Sequence, residues 1–323
     1  MRLCRHRSGL AAFLAIAIAW APHIAAQVWP DKPIRLIVNF GPGGAPDLIA
    51  RLIAPRLAEV LGQPVIVDNR AGAGGNIGVE AVARALPDGY TLLSSASSSF
   101  VIGPHLYKQG FDPVKDVTPV APAALTPMYL VVRANFPAKT VAELVAYART
   151  HAGKLNYGSA GSGTLPHIAA EMLLRMANIQ AVHVPFKGSG AALAALLGDQ
   201  VDFVFDPGVA IPQVKAGKAR LLAVGSASRS PSAPDTPTVR EAGIDMTAVS
   251  IVGLYAPAGT PADIVLRLNR EITRIMRTPE VSAALTTMAA EPLTASPEEF
   301  SLMLARDRER FGVIVREANI RVD

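Results

Sequence analysis

Two doubly wound α/β domains are what this sequence predicts, and three observations predict them. Half of the 323 residues are apolar while only 6% are aromatic. Val, Ile, Leu and Ala carry the apolar share, which suits parallel strands covered by helices on both faces. Short apolar runs alternate with segments of helical period, the pattern of βα units. Two units of strand, glycine-rich loop and helix begin at Phe40 and Tyr157, and a spacing of about 120 residues gives one unit to each domain.

The first 26 residues set the compartment. Arg2, Arg5 and Arg7 make a basic start, residues 10–21 are apolar and uncharged, and Ala25 and Ala26 precede Gln27. Basic, apolar and small segments in that order make a cleavable secretory signal peptide, and the apolar run is shorter than the ~20 residues that span a bilayer. Cys4, the single cysteine, lies in this segment and ahead of the apolar run, so it is not placed as a lipoprotein cysteine. Its removal leaves no thiol for a disulfide or a metal. The formal charge of +5 also falls by three arginines. No basic run with interleaved aromatics remains, so nucleic acid is not an expected partner. A chain of about 300 residues accommodates two domains and needs no disulfide. The expectation is a periplasmic monomer without a cofactor.

The elements follow in order. Residues 34–40 form a buried strand, and residues 41–44 turn it. Pro46 and Asp47 open a helix, since proline suits the first turn and an acid favours the positive helix start. Leu48, Leu52, Ile53, Leu57, Val60 and Leu61 keep an apolar face. Pro55 is expected to kink this helix and Gly62 to end it. Residues 65–68 are a strand, 77–85 a helix, 87–89 a turn and 90–93 a strand. Residues 128–133 are a strand and 140–150 a helix. Residues 155–158 feed the second glycine-rich loop, with a helix from about 166 to 177. Strands at 181–185, 201–206 and 219–224 enclose a helix at 191–197. The Pro- and Ser-rich stretch 226–237 is a loop of the second domain. Residues 249–256 are the last strand, and helices fill 262–276, 279–288 and 297–319.

The glycine-rich loops carry the chemistry. In Phe40-Gly41-Pro42-Gly43-Gly44-Ala45-Pro46-Asp47 the glycines let backbone approach a ligand, and the helix start offers unpaired N–H groups and partial positive charge. Together they make an anion site that needs no cationic side chain. A dinucleotide loop would need a third glycine where Pro46 stands. The second loop, residues 157–167, repeats the design, with Ser159 and Thr164 as hydroxyl donors. Facing helix starts suit the two ends of a small diacid. Residues 71–78 form either a third wall or a packing turn. The serine tract 94–99 supplies a hydroxyl, with Ser97 favoured, or simply begins a helix. No nucleophile elbow, phosphate loop or zinc-protease motif is present. His105, His151, His167 and His183 show no ligand-like pairing, and only His167 stands near a helix start at the cleft. Arg51 is placed to pair with Asp47 at i,i+4.

At these residues the sequence resembles the Bug family, the extracytoplasmic receptors of tripartite tricarboxylate transporters. The resemblance runs from Trp29 to about Phe311. It is carried by WPDKPIRLIVNFGPGGAPDLIARLIA, VDNRAGAGGNIG, PDGYTLL, LNYGSAGSGTLPHIAAE, VPFKGSGAALAALLGDQVDFVFD, AGKARLLAV and YAPAGTP. It implies a type II periplasmic binding-protein fold with a ligand cleft between the domains, residues 27–124 with 249–323 forming one and 125–248 the other. It implies a small mono-, di- or tricarboxylate as ligand and the membrane components of such a transporter as partner.

Carried over by position, the resemblance implies ligand-binding roles for Phe40, Gly43, Gly44, Asp47, Ser97, Ser159, Gly161, Gly163, Thr164, Lys187 and Asp206. For Lys187 and Asp206 a structural ion pair is the competing role. Ser250 and Ile251 stand where the family often has Trp, so the ligand's identity is not carried over. Two other readings use the same fold: a sensory receptor presenting its ligand to a membrane histidine kinase, and a periplasmic enzyme.

Overall fold

A computed structural model describes residues 29–108, 110–317 and 320–321. The expected signal segment, residues 1–26, lies outside the described residues. The chain begins with β1 (Ile34–Val38), α1 (Ala45–Leu61), β2 (Val65–Asn69), a 3₁₀ turn (Ala73–Gly75), α2 (Asn76–Ala83) and β3 (Thr91–Ala96). Two one-turn helices, α3 (Ser98–Val101) and α4 (Gly103–Leu106), lead to β4 (Val117–Pro127) and β5 (Tyr129–Arg133). Then come α5 (Val141–Thr150), β6 (Asn156–Ser159), α6 (Leu165–Met176), β7 (Val182–Pro185), α7 (Ser189–Leu197) and β8 (Phe203–Asp206). After α8 (Ile211–Lys215), β9 (Ala219–Val224) and β10 (Val249–Pro257), the tail carries α9 (Ala262–Met276), α10 (Pro279–Thr287), β11 (Glu291–Pro292) and α11 (Pro297–Glu317).

Two sheets form. One has the order β11-β4-β10-β3-β1-β2, the other β7-β6-β8-β5-β9. Both faces of the central strands carry buried side chains, as the apolar composition predicts, while the edge strands β2 and β7 are partly exposed. Along β1, Ile34, Leu36 and Val38 pack with Ile49, Ile53 and Leu57 of α1 and Leu268 and Ile272 of α9, while Ile37 faces the opposite cluster. Along β5, Tyr129 and Val131 join Leu196 and Val204, and Leu130 and Val132 face Tyr157 and Ile168. Alternate side chains of a strand serve opposite layers.

The expected parallel sheets are mixed sheets. β1 runs parallel to β2 and β3, and β6 parallel to β7 and β8. β10 runs antiparallel to β3 and β4, and β5 antiparallel to β8 and β9. The exceptions are where the chain changes sheets. Only Met128 separates β4 in one sheet from β5 in the other, and the chain returns to the first sheet at β10. β4 itself escapes sequence reading because Pro119, Pro122 and Pro127 argue against a strand. Its pairing with β10 shifts register at Val252/Gly253 and at Leu254/Tyr255, beside Pro122 and Pro119, so the missing N–H donors fall at bulges.

The first helix starts and stops where its punctuation predicts. α1 carries Pro46 in its first turn and continues through Pro55. It stops where Gly62 takes φ 72° and donates its N–H to Ala58 O at 2.9 Å, a left-handed cap that glycine adopts without strain. Among the described residues no helix is long and apolar enough to cross a membrane.

Candidate functional site: a cavity at three helix starts

Both glycine-rich loops end at the start of a helix whose first turn lacks a side-chain cap. Gly44 precedes α1 and Thr164 precedes α6, each in extended backbone and neither capping the helix with a side chain. The Thr164 hydroxyl turns back instead and donates to Gly161 O at 2.6 Å. A third start joins them. Gly188 (φ 137°) precedes α7, again with no side-chain cap, and brings Ser189 to the same place. An uncapped start leaves N–H groups without partners and carries roughly half a positive charge.

These starts open on one narrow cavity, where Phe40, Gly44, Ala45, Thr164, Leu165 and Ser189 form part of the wall. Ser98, Thr126, Ser250, Met128 and Val252 form the facing part. No charged side chain lines it. Phe40 and Ala160 also bound a roomier outer cavity, whose wall includes Gly74, Tyr107, Gly161, Ser162 and Lys187. The two sides of the cleft touch through backbone: Gly41 N donates to Lys187 O at 2.8 Å. A Cβ on Gly41 would stand 2.5 Å from that same oxygen, so only glycine permits the approach.

The expected site residues divide by position. Phe40, Gly44 and Thr164 line the inner cavity, and Phe40, Gly161 and Lys187 the outer one. Gly43, Asp47, Ser97, Ser159, Gly163 and Asp206 stand behind these walls and hold the loops. Asp47 is 2% exposed. Its carboxylate accepts Gly43 N at 2.9 Å, Arg51 Nε at 3.0 Å and Asn69 Nδ2 at 2.9 Å. Burial raises its pKa, but the bonds from Arg51, Gly43 and Asn69 outweigh that and hold it below the usual 3.8. The expected Asp47–Arg51 pair is therefore present. Ser97 Oγ accepts Ile251 N at 3.2 Å and lies 3.3 Å from Ser250 Oγ, so the hydroxyl at the cavity belongs to its neighbour Ser98.

In the second loop, Ser159 Oγ accepts Gly161 N at 3.1 Å and shares a 2.6 Å hydrogen bond with His183 Nε2. Gly163 N donates to His167 Nδ1 at 3.1 Å. Asp206 is 2% exposed, and its Oδ1 accepts Gly208 N and Ala210 N, each at 2.8 Å. Burial pushes its carboxyl up to about 7 in spite of these bonds. It is turned onto its own loop and makes no ion pair among the described residues.

Behind this loop the His167 and His183 rings stack with centroids 4.0 Å apart, and Tyr157 stacks on His183 at 4.9 Å, a packing contact rather than a ligand pairing. The parallel register sets Tyr157 beside His183, and α6 carries His167 over them. Burial pushes both imidazoles down to about 4. They are neutral supports for the loop, and among the described residues no group of three or more candidate ligands stands ready for a metal. Ser159 and His183 do form a hydroxyl–imidazole pair, but Ser159 is 1% exposed and lines neither cavity.

Sequence reasoning flagged the serine tract that holds Ser98 but favoured Ser97, and it missed Thr126, Tyr107, Ser250 and the start of α7 at Ser189 as wall residues. The last was readable: Phe186-Lys187-Gly188-Ser189 ahead of an apolar run is a third strand–glycine–helix unit. The others depend on contacts distant in sequence.

Two mixed α/β sheets with a cavity between three helix starts define a binding protein of the periplasmic type. The chain belongs to the tripartite tricarboxylate transporter receptor family: residues 49–320 match the family model described as "Tripartite tricarboxylate transporter family receptor". A UPF0065 protein of Bordetella bronchiseptica is 37% identical over 93% of this chain and 90% of its own. BugT of Bordetella pertussis is 33% identical over 100% of both chains. Among solved structures, the periplasmic binding protein BugD superposes with a TM-score of 0.87 at 32% identity, over 91% of this chain and 99% of the other. R. palustris Rpa4515 with adipate gives 0.88 at 34% over 91% and 99%. MatC of Rhodopseudomonas palustris with bound malate gives 0.85 at 33% over 89% and 100%.

Proposed function

We propose that this chain is exported to the periplasm, captures a small carboxylate in the inner cavity and delivers it to the membrane components of a tripartite tricarboxylate-type transporter. The observation that carries this reading is the convergence of three uncapped helix starts on a cavity without a charged side chain. Such a wall meets a carboxylate with backbone N–H groups and helix dipoles, each worth roughly 0.3–1 kcal/mol and more when partly buried. Two relatives in the same fold at 33–34% identity hold adipate and malate. In this reading the two sheets centre two domains, 27–124 with 249–323 and 125–248, and the protein works as a monomer without turning its ligand over. Phe40, Gly44 and Thr164 meet the ligand, Gly161 and Lys187 flank the entrance, and Gly43, Asp47, Ser97, Ser159, Gly163 and Asp206 hold the loops in place.

Calorimetric titration and thermal shift against mono-, di- and tricarboxylates, with neutral sugars as controls, test it. A carboxylate at 100 times its Kd adds about 2.7 kcal/mol to the folded state, a rise of several degrees. A panel in which only sugars raise the melting point overturns the reading. Intact-mass measurement of periplasmic protein is expected to place the N-terminus near Gln27.

A further inference from the structure

Tyr107 follows the one-turn α4 and was not marked by any motif. Its hydroxyl donates to Ser162 O at 2.7 Å, a side-chain bond that crosses the cleft between residues 55 positions apart. The ring fills the seam between two glycine turns. A Cβ on Gly163 would stand 3.0 Å from a carbon of the Tyr107 ring. A Cβ on Gly74 would stand 3.0 Å from the Tyr107 hydroxyl and 2.6 Å from Ser162 O. Both glycines have positive φ, 72° and 63°, so the backbone of each turn is shaped to let the ring in. Tyr107 lines the outer cavity and not the inner one. It stands at the seam between the two sides and not in the wall of the inner cavity. Burial raises the pKa of the hydroxyl, so it remains a donor at neutral pH.

We propose that Tyr107 is the side chain that keeps the cleft shut over a bound ligand, so that it sets how long the ligand stays rather than which ligand enters. The proposal rests on the reading of the inner cavity as the carboxylate site. Opening the cleft breaks the bond to Ser162 O and withdraws the ring from Gly163, whereas ligand entry into an open cleft requires neither. The hydroxyl therefore stabilises the closed form alone, and a ligand bound between the two sides shares in that stabilisation. Tyr107 is a positioning residue. Its loss raises the dissociation rate and leaves the association rate nearly unchanged, the usual division for contacts made after encounter.

The test compares wild type, Tyr107→Phe, which keeps the ring, and Tyr107→Ala, with Tyr147→Phe as a remote tyrosine control. Stopped-flow binding of adipate and of malate is measured alongside small-angle scattering of the ligand-free proteins. Tyr107→Phe is expected to dissociate about fivefold faster, equivalent to ~1 kcal/mol, with association within a factor of two, and Tyr107→Ala faster again. Both are expected to show a larger radius of gyration than wild type and the control. Equal dissociation rates and equal radii overturn the proposal, as does a loss of melting temperature without either change, which marks a merely structural tyrosine. If no carboxylate of the panel binds the wild type but the radii still separate, the latch stands and the carboxylate reading falls. If none binds and the radii agree, both fall.

Discussion

Gly43 and Gly44 are adjacent, yet the structure separates what each does. Gly44 lines the inner cavity with φ −80°, a value open to any residue, and a Cβ there would stand 3.5 Å from Gly41 O and 3.9 Å from Ser189 N. Those are ordinary contacts, so Gly44→Val is expected to fold. Its methyl groups then stand between the starts of α1 and α7, where a carboxylate would take its N–H donors. The expected loss of affinity is at least tenfold, about 1.4 kcal/mol, with melting temperature nearly unchanged. Gly43 has φ 78° and nothing within 4 Å of a Cβ. Gly43→Ala therefore costs stability, roughly 1–2 kcal/mol for an L-residue in the left-handed region, while adding no bulk to the cavity. Titration calorimetry on both variants, with circular dichroism and thermal melts, reads the contrast. Wild-type affinity in folded Gly44→Val refutes the reasoning, because it removes the α1 start from the site.

Asp47→Ala leaves Gly43 N without its acceptor, while Asn69 Nδ2 keeps Phe40 O. The buried bond from Gly43 N to the charged group is worth about 1.5–3 kcal/mol, and the half-exposed Arg51 pair adds only a few tenths, so chemical denaturation should show a loss of roughly 2–3 kcal/mol. Gly41→Ala forces its Cβ onto Lys187 O and is expected to hold the cleft ajar, weakening ligand binding several-fold by titration without lowering the melting point of the ligand-free protein. His167 and His183 titrate near 4 when folded and near 6.5 when unfolded. The unfolded chain then binds more protons between those values, so their contribution is complete above pH 6.5 and lost as the pH falls towards 4. Asp206, raised to about 7, works the other way in the same window. The measure is therefore the difference in stability between wild type and a His167→Gln/His183→Gln variant across pH 4–7, and a difference that grows as pH falls contradicts the assignment.

The sequence by itself determined what is local. The apolar runs placed most strands, Pro46 and Pro166 marked helix starts, Gly62 marked a helix end, and the i,i+4 spacing gave the Asp47–Arg51 pair, because each depends on residues within a turn or two of one another. The loops at Phe40 and Tyr157 were legible for the same reason. Three things waited on the tertiary structure. The direction of β5 and β10 follows from where the chain crosses between sheets, which no window of sequence contains. The choice of Ser98 over Ser97 at the cavity follows from a bond between Ser97 and Ile251, 154 residues apart. The stacking of His183 on His167, and the reach of Tyr107 to Ser162, join segments whose contact exists only once both sheets are assembled. Local chemistry could say that backbone N–H groups were offered to a ligand, but only the packing of the two sheets decided which of them face the same cavity and which side chain shuts it.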